Sequence, residues 1–115
     1  MNKIQRCFLV VLSVLVTACD DGVKDRNLDE AMMREAMCVV ASERFNLYDE
    51  AKIHKEHGLD FGGTRFRRTG QENDFQDQVY KVRPFLNQMS KDYNAEFLGS
   101  KCDKEITVGE FKQAS

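Results

Sequence analysis

His54 and His57 are the chain's two histidines, and Glu50 precedes them by four and seven positions. Imidazoles and carboxylates that share one helix face are the raw material of a metal site. A zinc-binding helix places its histidines four apart. Here they are three apart, and Glu56 lies directly beside His57. The spacing therefore predicts a solvated helix face and no metal. Met32, Met33 and Met37 beside Cys38 form a second soft-ligand group. Thioethers suit Cu(I), but methionine is also the usual filler of irregular cores, and core filling is the expected role. The chain has no G-x-S-x-G, no Gly-rich loop ending in Gly-Lys-Ser/Thr and no zinc-type Cys/His spacing. No catalysis and no cofactor are expected.

Arg65, Arg67 and Arg68, with Phe66 among them, form the one basic cluster. Arginine and aromatic side chains are enriched at binding hot spots, and functional residues concentrate on loops. Arg65, Phe66, Arg67 and Arg68 are the expected partner-binding residues. Asp103 to Phe111 resembles the second half of an EF-hand, with Glu110 at the twelfth loop position. Counting back puts Gly99, Lys101 and Lys104 where calcium needs oxygen, oxygen and glycine. The segment is read instead as a capped terminal helix.

The elements that must position these groups follow from capping and periodicity. Asn27-Leu28-Asp29-Glu30 reads as a helix start, and helix-favouring residues run from there to Phe45. The apolar face is wide, which suggests cover on more than one side. Asn46 is predicted to cap a shorter helix over Leu47 to His57, with Gly58 as its stop. Residues 58–71 are predicted as a Gly/Arg-rich loop or short hairpin, with Gly62-Gly63 at the turn and Asp60 opposite Arg65. Phe75, Val79, Val82, Leu86, Met89 and Tyr93 step by four and three, the seam of a helix. The seam keeps its phase across Pro84, so one kinked helix reaching toward Gly99 is expected. Thr107-Val108-Gly109-Glu110 opens a short last helix carrying Phe111. The fold class is all-α, a small bundle of three to four helices.

The first eighteen residues, MNKIQRCFLVVLSVLVTA, have two cations (Lys3, Arg6), a short apolar stretch and a small residue before Cys19. That is a secretory signal layout, too short in its apolar part to span a bilayer. Val16-Thr17-Ala18-Cys19 resembles the lipobox of bacterial lipoproteins. The resemblance implies a signal peptide over 1–18, acyl chains on Cys19, a polar tether over 19–27 and a periplasmic domain over 28–115. Two or more acyl chains anchor a protein stably. Asp20 and Asp21 resemble the sorting signal that retains such proteins at the inner membrane. The periplasmic face of that membrane is the expected location, with the outer membrane as the alternative.

Lys3 and Arg6 leave with the leader, so 17 basic and 19 acidic residues become 15 and 19. This is not the balance of a nucleic-acid binder. Cys7 leaves too, and Cys19 is consumed by lipid. The signal implies an oxidising compartment, where the remaining Cys38 and Cys102 form a disulfide. A redox-active pair would call for C-x-x-C spacing. Size and anchor resemble immunity or inhibitor lipoproteins, or the exclusion lipoproteins of mobile elements. These imply a protein partner in the envelope. A non-catalytic accessory or scaffold subunit of an envelope or secretion complex is the alternative.

Overall fold

The computed structural model describes the backbone of residues 15–114 and the side chains of residues 27–114. Five helices follow one another: α1 (Leu15–Arg44), α2 (Tyr48–Thr69), α3 (Phe75–Gln88), α4 (Lys91–Lys101) and α5 (Val108–Gln113). The class is all-α as expected, and no strand occurs among the described residues.

Helix α1 is the hub, and its wide apolar surface is covered on two sides. Met32, Ala36, Val39 and Val40 meet Ala51 of α2 and Phe75, Val79 and Leu86 of α3. Cys38, Ala41 and Phe45 meet Leu98 and Cys102 at the end of α4, with Phe111 and Ala114 of the C-terminal segment. The Cys38–Cys102 disulfide closes this second cluster, with its Cα atoms 5.8 Å apart. Helix α1 passes through Asn27, so the capping signal there does not start it.

Asn46 ends α1 rather than capping α2. Its φ is 60°, its N–H donates to the Glu43 carbonyl, and the Leu47 N–H donates to that of Ser42, each at 3.0 Å. These two bonds with a left-handed residue form a Schellman motif, in which asparagine can replace glycine.

Helix α2 does not stop at Gly58, and residues 58–71 do not form a hairpin. The helix runs to Thr69 and ends at Gly70, whose φ is 79°. The glycines at 58 and 62 serve close approach instead. A Cβ on Gly58 would come within 2.0 Å of the Phe75 ring, and one on Gly62 within 2.0 Å of the Asn73 amide oxygen. Helix α3 and the loop before it can therefore lie directly against the α2 backbone.

The single kinked helix is in fact two. Pro84 lies within α3, and the break comes at Met89 and Ser90. Ser90 caps α4 by accepting the Tyr93 N–H at 3.0 Å. Carbonyls around the break also meet side-chain donors. Arg44 Nη1 donates to Leu86 O at 2.6 Å and to Met89 O at 3.1 Å. Asn94 Nδ2 donates to Leu86 O and Ser90 O at 3.1 and 2.9 Å. These bonds satisfy carbonyls that a helix end leaves without intrahelical partners. Helix α5 begins as expected, with a reciprocal capping box between Thr107 and Glu110. Phe111 stacks obliquely on Phe45, ring centroids 6.0 Å apart.

Candidate functional site

A carboxylate on a core-facing stretch of helix has to be explained. Glu35 is only 7% exposed, one turn from Met32 and Val39 in the packed part of α1. Burying an ion costs several kcal/mol unless it is paired. The partner is His54 of α2, itself 6% exposed. His54 Nδ1 lies 2.7 Å from Glu35 Oε1, and its Nε2 lies 3.1 Å from Glu50 Oε2. Glu50 stands one turn before His54 on the same helix, the ordinary i,i+4 geometry. His57, one turn further on, is exposed and brings Nδ1 to 3.7 Å from Glu35 Oε1. Arg34 Nε lies 3.9 Å from the other carboxylate oxygen, Oε2.

These groups line an open cavity of about 400 Å³ that also takes in Lys101, Cys102 and Asp103 from the end of α4. The solvated helix face expected for His54 and His57 is therefore half right. His57 faces water, while His54 is sandwiched between two carboxylates from two helices. The sequence could not supply Glu35, because its contribution depends on how α1 and α2 pack. Its one trace is an acid between Met32 and Val39, inside the stretch read as apolar. His54 also lies beside the disulfide, its nitrogen within 4.8 Å of the sulfurs of Cys38 and Cys102.

The arginine cluster is divided by the helix that carries it. Arg65 is 3% exposed and points inward. Its Nη1 donates to Asp29 Oδ1 at 2.9 Å, and its Nη2 donates to Asp74 Oδ1 at 2.7 Å and to the Glu72 carbonyl at 2.8 Å. Arg65 thus ties α1, α2 and the loop before α3, and it is not a partner-binding residue on the surface. Its predicted opposite, Asp60, plays no part in that network. Burial disfavours the Arg65 charge, but the hydrogen bonds and charges of Asp29 and Asp74 outweigh it and raise the pKa. For Asp74, burial pushes the carboxyl up, and the Arg65 hydrogen bond and charge with the Gln78 amide pull it below the usual range. Phe66, Arg67 and Arg68 are exposed, and Arg67 Nη2 donates to Thr64 Oγ1 at 3.0 Å.

Met32 is fully buried in the first cluster, Met37 packs against it, and Met33 faces water. Glu110 accepts from the Thr107 N–H and from Lys104 Nζ, the role of a capping residue. The side chains of Cys19, Asp20 and Asp21 lie outside the described residues, as does residues 1–14 of the leader. Among the described residues no helix is long and apolar enough to cross a membrane.

A different surface feature escaped the sequence reading. Phe85 of α3 and Tyr93 of α4 stand edge to face in water, centroids 6.3 Å apart. The helix break brings them together. A shallow depression of about 240 Å³, lined by Tyr93, Glu96, Phe97 and Ser100, opens beside Tyr93. Comparison of the chain with family models, with curated proteins and with solved structures finds no match.

Proposed function

We propose that this chain is a lipid-anchored protein of the bacterial cell envelope that acts by binding a protein partner, in the manner of an immunity, inhibitor or exclusion lipoprotein. The location rests on the resemblance of Val16-Thr17-Ala18-Cys19 to a lipobox. A disulfide between Cys38 and Cys102 suits that location, because such bonds persist outside the reducing cytosol.

The observation that carries the binding reading is the exposed Phe85–Tyr93 pair. Aromatic side chains are enriched at protein interfaces, where they supply large contact area at low entropic cost. Phe66 and Arg67 on α2 remain candidate contacts from the basic cluster, and Arg68 faces water with them.

The test uses the full chain in its native host. A photo-crosslinking residue at position 85 is expected to capture one envelope protein, identified by mass spectrometry. The double variant Phe85→Ala, Tyr93→Ala is expected to lower recovery of that protein by affinity pull-down at least tenfold. Equal recovery refutes the assigned surface. Cys19→Ser is expected to abolish acyl mass and release the domain from membranes. A wild-type chain with its leader intact, or with residue 19 free of acyl mass, refutes the location.

A further inference from the structure

We propose that Glu35, His54 and His57 form a binding site for a divalent zinc-like metal ion, with Glu50 orienting His54. This goes beyond partner binding and does not depend on it. The spacing on α2 alone argues against metal, because two histidines three apart make an incomplete set. Packing supplies the third ligand from α1. One ligand atom from each residue lies within 4.8 Å of the other two.

The distances fit a tetrahedral ion. Zinc bonds of about 2.0–2.1 Å to nitrogen and oxygen imply ligand-to-ligand edges of about 3.3 Å. The two measured edges from Glu35 Oε1 are 2.7 Å to His54 Nδ1 and 3.7 Å to His57 Nδ1. They bracket that value within about half an ångström, and the third edge, between one nitrogen of each histidine, is no longer than 4.8 Å. Two histidines and one glutamate are a known zinc donor set, which leaves a fourth position for water. The cavity of about 400 Å³ at this point provides the room and the route in.

The surroundings support the assignment of each atom. A metal-bound histidine donates its other N–H to a carboxylate, which fixes the ring and its tautomer. His54 Nε2 has that partner in Glu50 Oε2 at 3.1 Å, so Nδ1 is the nitrogen left to face the ion. Arg34 lies against Glu35 Oε2 and leaves Oε1 toward the histidines. The cavity wall adds one cation, Lys101, and one anion, Asp103. With the disulfide closed, the sulfurs of Cys38 and Cys102 are bonded to each other, so this site has to work through nitrogen and oxygen alone.

The test is isothermal titration of the full oxidised chain, in detergent, with ZnCl2. Saturable one-to-one binding is expected. His57→Ala changes an exposed side chain, so the fold should persist by circular dichroism, and zinc affinity should fall at least tenfold. Glu50→Gln should weaken binding about tenfold or more, the usual effect of losing an outer carboxylate. Absence of saturable binding by the oxidised chain overturns the proposal. So does unchanged affinity in His57→Ala. Binding that appears only after reduction also overturns it, because the ligands are then His54 and the two released thiols.

Discussion

Alanine at Gly58 and alanine at Gly63 should change stability in opposite directions. In a helix interior, glycine to alanine stabilises by about 0.5–1 kcal/mol, because glycine loses more backbone freedom on folding. Neither residue has a positive φ, so backbone strain does not oppose the change at either one. What differs is the space. The added methyl at Gly58 lands among the ring atoms of Phe75, which is wholly buried. That ring has Val79, Val40 and Met32 in its cluster and can retreat only by disturbing them. Overpacking of this kind costs about 1–3 kcal/mol, and partial loss of Phe75 burial adds to it, since full burial of such a side chain is worth about 1.5–3 kcal/mol. The net expectation for Gly58→Ala is a loss of about 1–3 kcal/mol. At Gly63 the methyl meets only Arg67 Nη1 at 3.5 Å, the far end of a flexible side chain, so the helix gain of about 0.5–1 kcal/mol should survive. Thermal unfolding by circular dichroism, disulfide intact, should show Tm falling for the first and rising by about 4 °C for the second, at roughly 4–8 °C per kcal/mol. A hairpin with Gly62-Gly63 at its turn would require positive φ there, and Gly63→Ala would then destabilise. That result, or a Gly58→Ala variant as stable as wild type, would refute the helical packing of α2 on Phe75.

Four further outcomes follow from the same contacts. Arg65→Met keeps the apolar stem but removes three donated hydrogen bonds. Asp29 and Asp74 are partly exposed and can rehydrate, so urea unfolding should show a loss of about 2 kcal/mol rather than the 3–5 of a fully buried pair. Replacing Cys38 and Cys102 by serine opens a loop spanning 64 residues and should cost about 4 kcal/mol by loop-closure entropy, read as a lower urea midpoint. Asp74 and Glu110 both sit below their ordinary carboxylate pKa when folded. Their stabilisation is therefore complete above the unfolded values, about 4, and is lost as pH falls through the folded ones. Stability measured between pH 5 and pH 2 should decline accordingly, with a shallower decline in Arg65→Met. Thr107→Ala removes one half of the capping box and should cost about 1 kcal/mol, detected as faster amide exchange confined to α5.

Local signals in the sequence located α3, α5 and the first half of α2, but they missed the second half of α2 and the separate α4. The 4-3-4 steps from Phe75 to Leu86 mark α3, and Thr107 with Glu110 marks α5, because periodicity and capping act within a few residues. The glycine signals misled because glycine has two uses. At Gly70 it takes a left-handed φ and ends a helix. At Gly58 it admits a neighbouring ring, and nothing within a few residues of it distinguishes the two. Phe75, seventeen positions away, is the reason for Gly58. Asn46 misled for a similar reason, since asparagine serves both at helix starts and at left-handed helix ends. Pro84 drew attention away from the true break, which a serine cap and the donors Arg44 and Asn94 hold in place.

The candidate site was hidden by the same limit, and α1 shows why. Asp29 reaches Arg65, Glu35 reaches His54, and Cys38 reaches Cys102. Each of these links joins one residue of α1 to a residue in or just after another helix, at least nineteen positions away. Of the three, only the cysteine pair could be anticipated, because the expected loss of Cys7 with a leader and acylation of Cys19 would leave two thiols, each with one possible partner. Carboxylates have no such rule, since Asp and Glu are plentiful and most are solvated. What singles out Glu35 is its burial, and burial is a property of the packed bundle. A helix that must cover two clusters has few positions left for charge, so an acid retained there has to be matched by a group from a neighbouring helix. His54 meets that demand for Glu35; at the other link the buried group is Arg65, and the exposed Asp29 answers it. The difference between the two links is access: the two terminal nitrogens of Arg65 are held in three hydrogen bonds within the fold, whereas His54 and Glu35 open onto a cavity with a second imidazole at its edge. That contrast separates a structural tie from a site able to take a ligand.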